Sequence, residues 1–157
     1  MLIGRKRKLG RHLNQISTGE KLAFTESIKE KDLLLYLGLT EDANPLYLQP
    51  DYAALTPYKK PVIPPFLLTG LVMSAVSKYL PGPGSHVIKQ EFSFPKPAYH
   101  SSKLDFILQV EEVNEAAHTI IVKVQGVHGK DLVIEGLLTV CPPYHPDENV
   151  GLAFENF

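Results

Sequence analysis

One long apolar helical segment, followed by segments in which apolar and polar residues alternate, is the feature that most constrains the fold of this chain. Between residues 64 and 79 apolar side chains recur at helical spacing: Leu67, Leu68, Leu71, Val72, Ala75, Val76 and Tyr79. The stripe is wide, which predicts a well-buried helix. Two prolines stand at its start, where a missing backbone N–H costs little, and the run Leu80-Pro81-Gly82-Pro83-Gly84 ends it.

After Gly84 the apolar period changes to two, which predicts strands over residues 86–94, 104–110, 120–124 and 132–140. The joints between the last three are short, so neighbouring strands should form antiparallel hairpins. Residues 21–26 predict an earlier strand. A sheet with one apolar face needs a cover, and the long helix can supply it. The sequence therefore predicts an α+β chain with the hot-dog fold, an antiparallel sheet wrapped around a long central helix.

The segment between the first strand and the long helix is less regular. Ser27 and Glu30 have capping-box spacing, which predicts a short helix over residues 28–37 that Gly38 ends. Residues 39–61 contain four prolines and predict a stiff irregular excursion, a kind of loop that is often functional.

Composition excludes several classes of protein. The 157 residues fit one domain, here 19–141, between a basic N-terminal segment, 1–18, and a C-terminal tail, 142–157. A net charge of −1 and a single cysteine predict no nucleic-acid partner, no disulfide and no cysteine-rich metal site. Prolines and a glycine interrupt the longest apolar run, and no secretory signal is apparent, so we expect no membrane span and a cytoplasmic location.

Two further interpretations concern the ends of the chain. The basic residues of segment 1–18 could contact the phosphates of a nucleotide-bearing ligand, although a solvated tail is the commoner role. The run His145-Pro146-Asp147-Glu148 has metal-capable atoms but no second cluster at ligand spacing, so neither a metal nor a cofactor is predicted.

Several short motifs together resemble the MaoC-like dehydratases, which include the (R)-specific enoyl-CoA hydratases. The matching stretches are residues 39–46, 50–53, 60–61, 80–85 and 92–94 with Pro97, and the resemblance extends from about residue 19 to 140. The resemblance implies a hot-dog dimer, sometimes a hetero-oligomer. It also implies addition or removal of water at the double bond of a trans-2-enoyl thioester, carried on coenzyme A or a related pantetheine.

In this family an aspartate and a histidine on the irregular segment hold and activate the water, within the motif Asp-x-Asn-Pro-x-His-x-Asp. Asp42, Asn44 and Pro45 match that motif, but Tyr47 stands at the histidine position and Gln49 at the second aspartate. A tyrosine is almost entirely a neutral phenol at pH 7 and is a poor base. Loss of a positioned general base typically costs about 10²–10⁴ in rate.

The family also uses a backbone N–H at the start of the long helix to polarise the thioester carbonyl. Its usual His-Gly pair is Pro64-Pro65 here, and a serine further along the helix is Gly70. Pro65 has no N–H to donate, although that of Phe66 could replace it if the helix start is shifted by one residue. Together these changes predict that the usual hydration chemistry is impaired or absent.

The resemblance gives a set of candidate site residues: catalytic Asp42, Asn44 and Tyr47, and substrate-binding Tyr52, Pro65, Phe66 and Gly70. Asp42 and Asn44 could instead serve only to fix the excursion, because both residue types commonly form turns beside proline. Aromatic residues could line an acyl pocket or simply pack the excursion: Tyr36, Tyr47, Tyr52, Tyr58 and Phe66.

Three functions remain open from sequence. The first is a hydratase or dehydratase with an altered site, in which Asp42 is the base and Tyr47 orients the water. The second is a protein that binds an acyl thioester without turning it over. The third is an inactive subunit that pairs with an intact hydratase subunit in a hetero-oligomer, as an alternative to a homodimer.

Overall fold

Five antiparallel strands form a single sheet in the order β1-β3-β4-β5-β2. This computed structural model describes residues 8–146. The strands are β1 (Lys21–Glu26), β2 (His86–Ser93), β3 (Leu104–Asn114), β4 (Thr119–His128) and β5 (Asp131–Cys141). The helices are α1 (Glu30–Thr40), α2 (Pro45–Leu48), α3 (Pro50–Ala54) and α4 (Pro65–Tyr79), with a short 3-10 helix at Leu13–Gln15.

Helix α4 packs into the curved inner face of the sheet. Its buried residues Leu68, Val72 and Val76 join one core cluster with inward-facing strand residues such as Phe106 and Val122. Burial alternates along β3 because successive side chains of a strand point to opposite faces. The α+β hot-dog prediction is confirmed, as are the antiparallel hairpins β3–β4 and β4–β5.

The first helix differs from its prediction at both ends. Lys29 N–H donates to the Asp32 carboxylate at 2.8 Å, so the helix begins at Glu30, and the Ser27–Glu30 capping box is wrong. Gly38 lies within the helix, which continues to Thr40. The left-handed residue that ends it is Glu41, with φ 57°.

The excursion, predicted as irregular, contains the short helices α2 and α3. Their first residues are Pro45 and Pro50. Proline suits the first helical position because its N–H would have no intrahelical acceptor there. The prolines of this segment therefore begin helices as well as interrupting them.

The N-terminal segment packs against the domain from residue 8 onward. Ile16 is buried in the core cluster, and Arg11 forms an ion pair with Glu20 at 2.7 Å. The expectation of a solvated tail is wrong for residues 8–18, whereas residues 1–7 lie outside the described part, as do residues 147–157 at the other end. No helix within 8–146 is long and apolar enough to cross a membrane.

Candidate functional site

Asp42 lies just past the end of α1, where the chain turns toward α2. Its backbone N–H donates to Thr40 Oγ1 at 3.2 Å, and its Oδ1 accepts from Asn44 N–H at 3.3 Å. Asn44 Oδ1 in turn accepts from Leu46 N–H at 2.9 Å and caps α2. Both side chains therefore form the turns that the structural interpretation expected. Asp42 Oδ2 remains outside that turn.

Tyr36, in the last turns of α1, hydrogen-bonds to the other oxygen of this carboxylate. Its hydroxyl donates to Asp42 Oδ2 at 2.6 Å. This bond is the largest cause of a raised pKa for Tyr36, followed by burial and the Asp42 charge. The sequence predicted Tyr36 only as an aromatic residue that lines an acyl pocket or packs the excursion. Its place beside Asp42 depends on the sharp turn at Glu41, which reverses the chain.

Tyr47 completes a cluster of aromatic rings around Asp42. Its ring meets that of Tyr36 edge-on at a centroid distance of 6.4 Å, and Phe66 lies 5.8 Å from Tyr36 on another side. Burial first, and then the Asp42 charge, raise the pKa of Tyr47, while the Asn44 side chain lowers it. Both phenols therefore keep their protons at neutral pH and can donate hydrogen bonds, but neither can act as a base.

A small cavity of about 230 Å³ adjoins this cluster. Tyr47, Tyr58 and Pro65 contribute to its lining, which is mostly apolar, and Lys96 stands among the lining residues. Two backbone hydrogen bonds hold the segment that precedes α4 in place. Val62 N–H donates to Leu46 O at 3.2 Å, and Ile63 N–H donates to Ala98 O at 2.8 Å. These bonds hold the first turn of α4 beside Tyr47.

The start of α4 provides one backbone donor beside the aromatic cluster. Pro65 is the first helical residue and has no N–H, whereas Leu67 N–H donates to Pro64 O at 2.9 Å. No backbone oxygen within 8–146 accepts from Phe66 N–H. The first N–H groups of a helix lack intrahelical acceptors, so this donor is free to meet a ligand oxygen.

The structure brings five of the seven candidate residues to one place: Asp42, Asn44, Tyr47, Pro65 and Phe66. Tyr52 lies on α3 with 46% of its surface exposed and makes no aromatic contact with the cluster. Gly70, one turn beyond Phe66, lines a different cavity of about 420 Å³ together with residues such as Lys29 at the start of α1.

The described residues offer no cluster of three or more histidine, cysteine, aspartate or glutamate side chains suited to a metal ion. Nor does any histidine of residues 8–146 hydrogen-bond to Asp42 or stack on its tyrosines. The cluster is thus one carboxylate between two phenols, with a helix N-terminus nearby. It can hold a polar group by hydrogen bonds, but among these contacts it lacks a neutral imidazole to take a proton.

The model of the MaoC like domain matches residues 13–130, which is most of the chain. The chain belongs to the MaoC-like domain family.

Relatives of this MaoC-like protein include enzymes. It is 26% identical over 132 residues to an (R)-specific enoyl-CoA hydratase of Rhodospirillum rubrum, covering 84% of this chain and 92% of the relative. An (R)-hydratase of A. caviae involved in PHA biosynthesis superposes with a TM-score of 0.77 at 26% identity, covering 82% of this chain and 98% of that one. An unliganded R-hydratase of Pseudomonas aeruginosa superposes with a TM-score of 0.79 at 26% identity, covering 87% of this chain and 88% of that one.

Proposed function

We propose that this MaoC-like protein binds a short acyl thioester beside Asp42 and hydrates it far more slowly than a chain with the family's aspartate–histidine pair. The single observation that carries the proposal is the Asp42 cluster. The carboxylate receives a 2.6 Å hydrogen bond from Tyr36, and its other neighbour is the phenol Tyr47. Tyr47 is a neutral phenol at pH 7 and cannot take a proton from water.

The start of α4 supports the binding half of the proposal. The proposal assigns the thioester carbonyl oxygen to Phe66 N–H, which donates to no backbone oxygen of residues 8–146, in place of the donor missing at Pro65. Such a donor stabilises a developing oxyanion and also orients the ground-state carbonyl. Binding therefore needs only the Phe66 donor and the apolar cavity, whereas turnover also needs a base.

Cavity size supports a short acyl group. Its volume of about 230 Å³ lies below the roughly 300–1,000 Å³ typical of small-molecule sites. The lining is mostly apolar, which suits a hydrocarbon chain. The pantetheine carrier would remain outside the cavity, and the curated relative named above is an enoyl-CoA hydratase, which favours coenzyme A as that carrier.

The same cluster favours a second candidate function, that of an inactive subunit in a hot-dog hetero-oligomer. A chain that keeps the fold but has Tyr47 for the histidine and Pro65 for the helix-start donor could still pair with an intact hydratase subunit. In that role its contribution would be the shared fold and part of the pocket. The first candidate instead requires acyl-CoA affinity in the isolated protein.

The test combines binding and turnover in the same purified sample. Calorimetry with saturated butyryl-CoA, which cannot be hydrated, measures affinity, and loss of enoyl absorbance with short and medium trans-2-enoyl-CoA measures turnover. We expect binding of butyryl-CoA and turnover close to that of the matched variant Asp42→Asn. Wild-type turnover well above that of Asp42→Asn would overturn the impairment. If a folded sample does not bind butyryl-CoA, the proposal that this protein binds an acyl thioester is wrong. That result would favour the role of an inactive subunit.

A further inference from the structure

A second, larger cavity lies at the opposite end of α4 from Asp42. It has a volume of about 1050 Å³ and is formed by residues 8–12, the end of α4 with the following turn, and His145. We call it the α4-end cavity. Phe66 and Tyr79 are thirteen helical residues apart, which is about 20 Å along the axis. Within one chain this cavity is therefore separate from the acyl cavity.

The walls of the α4-end cavity are held in place by the backbone. Gly10 N–H donates to Pro83 O at 2.7 Å, and Arg11 N–H donates to Pro81 O at 3.0 Å. A side chain at Gly10 would collide with the Pro81 carbonyl, so only glycine permits this approach. The Arg11–Glu20 ion pair fixes the segment further. Such a fixed wall suits a binding site better than a mobile tail would.

Among residues 8–146, those that line the cavity carry positive charge and include no carboxylate. Lys8 and Lys78 both line it, and neither forms an ion pair with any residue in the range 8–146. The end of a helix normally disfavours anions because its last carbonyls are unpaired. Here Val76 O accepts from two backbone N–H groups, those of Leu80 and Gly82, which offsets part of that effect. The two lysine ammonium groups add positive charge at this end of the helix.

Aromatic rings and a buried ring nitrogen without a hydrogen-bond partner in the described chain lie beside these lysines. His12 stacks on His145 with ring centroids 3.4 Å apart, and Tyr79 is 62% exposed at the same cavity. His145 Nε2 is buried and has no hydrogen-bond partner among the described residues. A buried polar atom without a partner costs free energy, which a ligand oxygen would recover. The rings provide surfaces on which a planar base can stack.

We propose that the α4-end cavity binds a nucleotide, with its phosphates on Lys8 and Lys78 and its base against the Tyr79 and His12 rings. The volume exceeds what a single phosphate requires and matches a small organic ligand. Two sources share this chemistry: a free nucleotide, and the nucleotide end of coenzyme A. Only the second source rests on the proposed function of the acyl site.

The test measures binding of ADP and of free coenzyme A by calorimetry at low ionic strength in a phosphate-free buffer. ADP has neither a pantetheine nor an acyl group, so its binding does not report on the acyl cavity, whereas binding of coenzyme A can depend on both sites. The variant Lys8→Gln/Lys78→Gln removes both unpaired cations. The control Lys103→Gln/Lys130→Gln removes two exposed lysines elsewhere and makes the same change in net charge.

We expect the wild type and the control variant to bind ADP. The cavity variant should bind ADP at least about tenfold more weakly, because each substitution removes a charged hydrogen bond to a phosphate. A parallel loss with coenzyme A would assign the cavity to the nucleotide end of that ligand. A loss with ADP alone would assign it to a free nucleotide. The proposal is wrong if wild type binds neither probe, if the cavity variant binds ADP as wild type does, or if the control weakens equally.

Discussion

Tyr47, which we propose stands at the position of the family's histidine, determines which chemistry the Asp42 cluster can perform. Its pKa is raised by burial and by Asp42, so it remains a neutral phenol where an imidazole would be a base. We expect Tyr47→His to raise enoyl-CoA turnover at least about tenfold, short of the 10²–10⁴ typical of a well-placed base, because Pro65 still lacks its N–H. The measurement is loss of enoyl absorbance against pH.

The matched variant Tyr47→Phe removes the hydroxyl and adds no base, so it should not gain activity. A gain shared by the histidine and phenylalanine variants would show that Tyr47 merely obstructs the site. Equal turnover in wild type and Tyr47→His, with butyryl-CoA affinity intact, would contradict the assignment of Tyr47 to the histidine position.

We expect His100 to make the stability of the protein depend on pH. Both ring nitrogens are buried without a hydrogen-bond partner in the described chain. Burial lowers the pKa of His100 below 6.5, while nearby Glu30 acts in the opposite direction. The unfolded chain therefore binds this proton more readily than the folded chain. The free energy of unfolding should then fall as pH drops below about 6.5, and continue to fall until the folded histidine is also protonated.

The variant His100→Gln isolates this contribution because it cannot titrate. We expect urea unfolding between pH 7.5 and 5 to show a smaller loss of stability for His100→Gln than for wild type. Identical slopes for wild type and His100→Gln would mean that His100 does not contribute.

Helix α4 contains an exposed glycine at which a side chain has room. A Cβ built at Gly70 would meet nothing within 4 Å. Glycine within a helix costs about 0.5–1 kcal/mol relative to alanine, mainly through the freedom of the unfolded chain. We expect Gly70→Ala to raise the free energy of unfolding by about that amount in a urea titration. A decrease would mean that another molecule packs closely on this face of the helix.

Gly136 on β5 is the contrasting case. Its φ is 155°, and a Cβ there would collide with the Glu91 carbonyl of the neighbouring strand β2. The variant Gly136→Ala should therefore destabilise the sheet at the β2–β5 pairing. Comparing it with Gly70→Ala separates the effect of backbone freedom in the unfolded chain from the effect of a steric clash in the folded chain.

The elements predicted best from sequence are those in which apolar residues recur at the spacing of one buried face. Helix α4 and the strands after Gly84 lie within a few residues of their predicted bounds, because each one faces the same core. Local capping was predicted poorly. The bond from Lys29 N–H to Asp32, which decides where α1 begins, competes with a Ser27–Glu30 pattern that is equally good on sequence alone.

The candidate site was predictable where a contiguous motif specifies it. Asp42, Asn44 and Tyr47 lie within six residues and share the turn that their sequence suggests. The hydrogen bond from Tyr36 was not predictable, since it needs the helix to extend past Gly38 and the chain to reverse at Glu41. The α4-end cavity joins residues from both ends of the described chain, so no local pattern indicates it.

At the scale of the whole molecule, the sheet has two edge strands, β1 and β2, and a second chain could add at the open edge of β2. β2 is paired only with β5, so the backbone groups of its other edge have no strand partner in the described chain. Ile88 stands at an irregularity in that pairing and is 54% exposed. Exposed apolar edge strands favour pairing with another chain, whereas lysine on an edge opposes it. We infer that two copies associate through β2.

The variant Ile88→Lys should therefore shift the protein from dimer toward monomer in sedimentation velocity, at protein concentrations where wild type is a dimer. Ile107→Lys is the matched control, because Ile107 is 48% exposed but lies on β3, which is paired on both sides and is not an edge strand. A dimer that survives Ile88→Lys but dissociates with Ile107→Lys would place the interface on the outer face of the sheet. A monomeric wild type would instead leave the β2 edge open for a different hot-dog chain, and would strengthen the role of an inactive partner subunit.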